Sequence, residues 1–152
     1  MKKYKFANIT VRPYPNICDV VNKWIFTPEI GAVVNVSQKY KADIADAIRQ
    51  KGIEYFHFPL KEEVADIGWE NIKKAVKILW IYDNTDKHIL VHCDGGNHRS
   101  RLVVEAFYFA KFGTHLIDEY KGYENHLIYD CSAGYLPPLN VVEDVLKQLA
   151  NS

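Results

Sequence analysis

Several things are scarce in this chain of 152 residues, and each scarcity excludes something. No stretch approaches the about 20 consecutive apolar residues that cross a bilayer, so no membrane partner is expected. The opening residues, Met-Lys-Lys-Tyr-Lys-Phe-Ala-Asn, carry basic charge without the apolar core and small-residue cleavage site of a secretory signal. Net charge is also missing: 19 Lys and Arg balance 19 Asp and Glu, which removes the bulk attraction that draws basic proteins to nucleic acid. The 3 cysteines are too few for a disulfide framework and suit a reducing cytoplasm. Cys18 and Cys131 read as small apolar fillers, with a redox partnership to Cys93 as the alternative. His, Cys, Asp and Glu do not recur at metal-ligand spacing, so neither a metal nor another cofactor is expected. Internal repeats and low-complexity segments are absent from the sequence.

What is present is the composition of an ordinary globular protein, 48% apolar or aromatic and 25% charged, and its length suits one domain over residues 1–152. Phe6, Ile9 and Val11 before Arg12-Pro13 suggest an edge strand over residues 4–11 stopped by proline. Residues 22–28 are hard to type. Residues 32–36 read as a buried strand, 41–51 as a short helix capped by Gly52, and 53–58 as a second strand. Strand, helix and strand in that order imply a crossover and a parallel pair. Ile72, Ala75, Val76 and Leu79 mark an amphipathic helix over 67–82, with Asp66 placed to cap it. Beyond Gly113 the pattern loosens, with a polar, aromatic stretch at 118–126, a turn at 134–138 and a last helical stripe at Leu139, Val142, Leu146 and Leu149. The fold class is α/β, a central mostly parallel sheet flanked by helices.

The chain is organised around residues 88–113. An apolar run at 89–91 ends in a loop holding Gly95 and Gly96, and Leu102, Val103, Ala106, Phe107 and Ala110 then follow at helical spacing. Buried strand, glycine loop and helix make a nest of backbone N–H groups for a tetrahedral anion, reinforced by the positive end of the helix dipole. Cys93 stands at the rim of that loop, near Arg99, and both neighbours lower a thiol pKa from about 8.5 toward neutrality. Arg99 returns over the loop with a planar fork that can hold two phosphoryl oxygens at once, which a lysine cannot do.

His92-Cys93-Asp94-Gly95-Gly96-Asn97-His98-Arg99-Ser100 matches the signature His-Cys-x-x-Gly-x-x-Arg-Ser/Thr. In this the chain resembles the cysteine-dependent protein phosphatases of the protein tyrosine phosphatase superfamily, and among them the compact dual-specificity type. Element order supports the resemblance well from Gly31 to Gly113 and loosely elsewhere. The phosphotyrosine-recognition loop of the larger, tyrosine-specific members is not apparent.

The resemblance implies that Cys93 attacks phosphorus to form a cysteinyl-phosphate, that Arg99 and the phosphate loop of Asp94, Gly95, Gly96, Asn97 and His98 hold the oxygens, and that Ser100 assists departure of the thiolate. Ser100 can equally be a helix N-cap. His92 supports the cysteine without transferring a proton. The family takes its general acid from an aspartate after the preceding strand; here the corresponding position, third after Pro59, is Glu62, followed by Glu63, and the first aspartate is Asp66. Glu62 is preferred on spacing and Asp66 on side-chain type.

Phosphoinositide-directed relatives carry lysines in the loop. This chain carries Asp94, which repels a polyanion if it faces the pocket and does nothing if it faces solvent. His98 and Arg101 add charge at the mouth, or Arg101 sits on the helix surface. Tyr120, Tyr123, Tyr129 and Tyr135 are either a substrate shelf or packing residues. The expected activity is hydrolysis of phosphotyrosine in a phosphorylated protein or peptide, with phosphoserine and phosphothreonine as the wider class. The alternatives are an RNA 5′-triphosphatase or nucleotide phosphatase, against which neutral net charge weighs, and a non-catalytic phosphate-binding module.

Overall fold

Strands that are apolar at nearly every position need cover on both faces, and two segments of this chain have that character. In the computed structural model, which describes residues 2–3, 8–23, 30–61, 68–94 and 99–112, they become β3 (Ile30–Asn35) and β5 (His88–His92). β5 is buried at all five positions. The remaining strands are β1 (Lys2–Lys3), β2 (Ile9–Arg12) and β4 (Glu54–His57). Their order in the sheet is β1-β2-β5-β3-β4, with β5 in the middle.

β2, β5, β3 and β4 run parallel, with Val11 opposite Val91, Val34 opposite Val91 and Val34 opposite Phe56. β1 alone is antiparallel, pairing with β2. The first strand is therefore not the sheet's outer edge, as its sequence suggests. Pro13 does end it, but Lys2–Lys3 folds back along its outer side. The pairing of β3 with β5 slips between Ile30 and Ala32. Gly31 sits at that slip, where a Cβ would come within 2.9 Å of the Lys87 and Tyr82 side chains. Only glycine allows so close an approach.

Alternation along the strands divides the apolar residues between two clusters. One joins Ile89, Val91, Val34 and Val36 to α2 (Trp69–Asp83) and α3 (Arg99–Phe112). The other joins Leu90, Val33 and Tyr55 to α1 (Ala42–Gln50) and to Val20 of a π-helical segment, Asp19–Lys23. Helices thus cover both faces, in agreement with the α/β sheet expected.

Gly52 follows α1 with φ +79°, and its N–H donates to the Arg49 carbonyl at 2.9 Å, a glycine-dependent helix end. α2 begins differently from expectation. Its N-cap is Gly68 at φ 101°, not Asp66, because the left-handed glycine turns the chain so that the Asn71 and Ile72 N–H groups reach the Gly68 carbonyl at 3.0 and 3.1 Å. Residues 4–7, 24–29 and everything after 112, including the stretches read as 118–126, 134–138 and the last helix, lie outside the described residues.

Candidate active site

The period-two geometry that builds the core also aims the residues at the end of β5. Ile89 and Val91 face the α2 and α3 side, so His92 must face the α1 side and Cys93 must return toward α3. Cys93 belongs to the core cluster on that face and is 2% exposed. The thiol therefore lies deeper than the rim position expected from sequence, because the first residue past a strand covered on both faces is still inside the core. Its Sγ is 3.5 Å from the Ser100 Oγ. Ser100 stands inside α3 and is fully buried, so its hydroxyl is directed at the sulfur.

His92 is held among aromatic rings, with the Tyr14 ring at 4.5 Å edge-on and the Tyr55 hydroxyl 3.4 Å from Nε2. Its Nδ1 lies 3.4 Å from the Cys93 carbonyl, which can only accept, so the ring proton belongs on Nδ1 and Nε2 accepts from Tyr55. Burial drives the His92 pKa from 6.5 down to about 3; the Cys93 carbonyl opposes this and the Arg12 charge adds to it. Burial, followed by the neighbouring Tyr14, likewise pushes the Tyr55 hydroxyl far above its ordinary value. His92 is neutral at physiological pH and its proton is committed to structure.

Arg99 is 5% exposed and is fixed from two sides. Nη1 donates to the Leu60 carbonyl at 3.1 Å, and Nη2 donates to Asp94 Oδ2 at 3.1 Å. Leu60 is itself anchored. Its N–H donates to the Val36 carbonyl at 3.0 Å, and the preceding Pro59 carbonyl accepts from Asn71 Nδ2 at 2.8 Å. Pro59 and Leu60, just before the acid candidates in sequence, are thus tied to the end of β3, to α2 and to the guanidinium.

Asp94 faces inward. Its Oδ1 accepts from the Ser37 hydroxyl at 2.8 Å, and its backbone carbonyl accepts from the Tyr14 N–H at 3.1 Å. Burial alone would raise its pKa, but hydrogen bonds from Ser37 and Arg99 outweigh that and hold the carboxyl below its ordinary value. With both oxygens accepting, Asp94 is an ion-pair partner and not a proton donor. Ser37, which is fully buried, is positioned by Asn35, whose Oδ1 accepts from the Ser37 N–H at 2.8 Å, and by His57, whose Nε2 donates to the Ser37 carbonyl at 2.7 Å.

The structure thus brings together four of the residues singled out in the sequence, Cys93, Asp94, Arg99 and Ser100, with His92 beneath them. Glu62, Asp66, Gly95, Gly96, Asn97 and His98 lie outside the described residues, as do Cys131 and the tyrosines at 120, 123, 129 and 135. Arg101 is neither at a pocket mouth nor on the helix surface but fully buried, because the first turns of α3 are enclosed on every side from Arg99 to Phe107. Ser37, Tyr14 and the Leu60 carbonyl carry no motif. The available signal was a polar pair, Asn35 and Ser37, closing an otherwise apolar strand. Among the described residues no group of His, Cys, Asp and Glu could hold a metal ion, and no helix is long and apolar enough to cross a membrane.

Comparison with known proteins agrees with the geometry. The family model described as "Dual specificity phosphatase, catalytic domain" matches residues 21–125. Among solved structures, human DUSP28 superposes with a TM-score of 0.71 at 13% identity, with 100% of each chain covered. The Cydia pomonella PTP-2 phosphatase gives 0.71 at 16% identity, over 92% of this chain and 84% of that one. PTPMT1 in complex with PI(5)P gives 0.69 at 14% identity, over 94% of this chain and 92% of that one. No curated protein matches the sequence.

Proposed function

The chain belongs to the family of dual specificity phosphatase catalytic domains, and from that premise we propose that it hydrolyses phosphate monoesters on proteins, phosphotyrosine first and phosphoserine or phosphothreonine with it. It is a cysteine-dependent phosphatase. The observation that carries the finer reading is the arrangement of Cys93 Sγ, the Ser100 hydroxyl 3.5 Å away and the Arg99 guanidinium paired with Asp94, the residue after the cysteine.

In this reading the Cys93 thiolate attacks phosphorus, the S–P bond forms and the P–O bond to the leaving group breaks. Arg99 and the N–H groups of residues 94–98 hold the equatorial oxygens, where charge must be met by dipoles already in place. The leaving oxygen takes its proton from Glu62 or Asp66, both on the segment that Leu60 and Pro59 tie to the site. Water then cleaves the S–P bond, and Ser100 donates a hydrogen bond to the departing thiolate.

Two charge arguments favour a protein monoester over the alternatives. PTPMT1 is seen with PI(5)P, but here the loop cation is already paired with Asp94, which disfavours a polyanionic headgroup. Balanced net charge similarly disfavours triphosphate-ended RNA.

The test is turnover of a tyrosine phosphopeptide, a serine phosphopeptide, PI(5)P and triphosphate-ended RNA by wild-type protein and Cys93→Ser. The expected result is phosphate release from the phosphopeptides only, abolished in the variant while phosphate binding survives. Undiminished turnover by Cys93→Ser overturns the mechanism. Glu62→Gln and Asp66→Asn, assayed on aryl phosphates with good and poor leaving groups, locate the acid; the true donor loses rate on the poor leaving group. If neither does, both assignments are wrong.

A further inference from the structure

The Asp94 carboxylate performs no step in that scheme, yet both its oxygens are held by protein donors. Its two oxygens bridge elements far apart in sequence, accepting from Ser37 at the end of β3 and from Arg99 at the start of α3. Ser37 is fixed in turn, through its backbone, by Asn35 and by the His57 ring, and its Oγ accepts from the Lys39 N–H at 3.0 Å. The Asp94 backbone is tied to Tyr14. A carboxylate so held does two things to the guanidinium beside it. It fixes the plane of the fork, together with the Leu60 carbonyl on the other nitrogen. It also places a negative charge next to the cation that is to meet the phosphoryl group.

We propose that Asp94 is a positioning residue that aims Arg99 and, by part-cancelling its charge, restricts the site to singly phosphorylated groups. Ser37 is the anchor that keeps Asp94 in place. This rests on the phosphatase reading above and deepens it, because it assigns that selectivity by charge to a side chain that makes no contact with the reacting atoms. Repulsion between Asp94 and an incoming anion grows with that anion's charge. A monoester dianion is tolerated because the preset guanidinium compensates, whereas a pyrophosphate or a doubly phosphorylated headgroup brings more charge against the same carboxylate.

The experiment compares wild type, Asp94→Asn, Ser37→Ala and Ser37→Thr with an aryl phosphate as substrate and inorganic phosphate and pyrophosphate as inhibitors. Asp94→Asn keeps the shape and removes the charge. Its kcat is expected to fall about tenfold as Arg99 loses its charged tether, while KM does not rise. Pyrophosphate inhibition is expected to tighten about three- to tenfold and phosphate inhibition by less. Ser37→Ala leaves the charge in place, so its kcat falls about threefold with inhibition unmoved, and Ser37→Thr, which restores the hydroxyl, recovers the rate. A loss of kcat in Asp94→Asn without any change in pyrophosphate inhibition is what a merely structural role gives, and it overturns the proposal. If Asp94→Asn does not fold, unchanged kcat in Ser37→Ala overturns it alone. Pyrophosphate binding, measured by calorimetry on Cys93→Ser with and without Asp94→Asn, separates the two readings: tighter binding in the double variant supports the Asp94 assignment even if the turnover mechanism fails.

Discussion

Two arginine–aspartate pairs stand near the carboxyl ends of the strands, with nearly the same geometry and different consequences. Arg12, the last residue of β2, donates to Asp19 at 3.0 Å; Arg99, the first of α3, donates to Asp94 at 3.1 Å. The difference lies in what else each carboxylate touches. Asp19 also accepts from the Asn16 N–H, while Asn16 Oδ1 accepts from the Asp19 N–H, so that pair closes a local turn. Asp94 accepts from Ser37, 57 positions away, and so couples the ends of β3 and β5 to the guanidinium of Arg99. An ion pair confined to one turn stabilises; one that spans the site sets its chemistry. His92 lies in the field of both, lowered by Arg12 and raised by Asp94.

The contrast can be broken most severely at Arg99. Arg99→Lys keeps the charge but loses the fork, and kcat/KM on an aryl phosphate should fall by about 10²–10³-fold, with the thermal midpoint close to wild type. A variant with most of its activity would show that the planar fork is dispensable. The next effect is on stability and has a definite sign. The unfolded His92 titrates near 6.5 and the folded one at about 3, so between those values the unfolded chain binds the extra proton. Stability contributed by neutral His92 is complete above about 6.5 and declines as pH falls, by up to about 1.4 kcal/mol per unit. Denaturant midpoints of wild type and His92→Asn between pH 7 and pH 4 check this; the variant should lose less over that interval, and parallel curves would refute the assignment. The smallest effect is at the other pair. Asp19→Asn should cost about 1 kcal/mol or less and leave kcat/KM within about twofold, so a larger loss of activity would erase the distinction between the pairs.

Much of this was legible in the amino-acid sequence, for reasons that differ from region to region. β3, β5 and α2 show because burial on both faces or on one stripe leaves an unmistakable apolar pattern. Cys93, Arg99 and Ser100 show because the chemistry fixes their spacing. The pairing of Asp94 could not be read, since a carboxylate after a cysteine has no periodicity to betray its direction, and its partner Ser37 lies just past another strand. Arg101 misled for a related reason: a charged side chain early in a helix reads as surface, while the packing of β5 against α2 and α3 encloses that first turn. Gly68 displaced Asp66 as the start of α2 because a left-handed glycine can open a helix without any side-chain cap. The antiparallel β1 was beyond reach, two lysines being too short a pattern to read as a strand.

The position of β5 has a consequence for how the molecule comes into being. Its neighbours on either side, β2 and β3, precede it in the chain by roughly 80 and 60 residues, as the pairings of Ile9 and Ala32 with Ile89 show. A growing polypeptide therefore makes both walls of the gap long before the strand that fills it, and contacts so distant in sequence are slow to form. Until that insertion is complete the sulfur has no cradle. Maturation of the reactive centre and closure of the sheet are one event, so a nascent chain gains its chemistry only at the moment it gains its architecture.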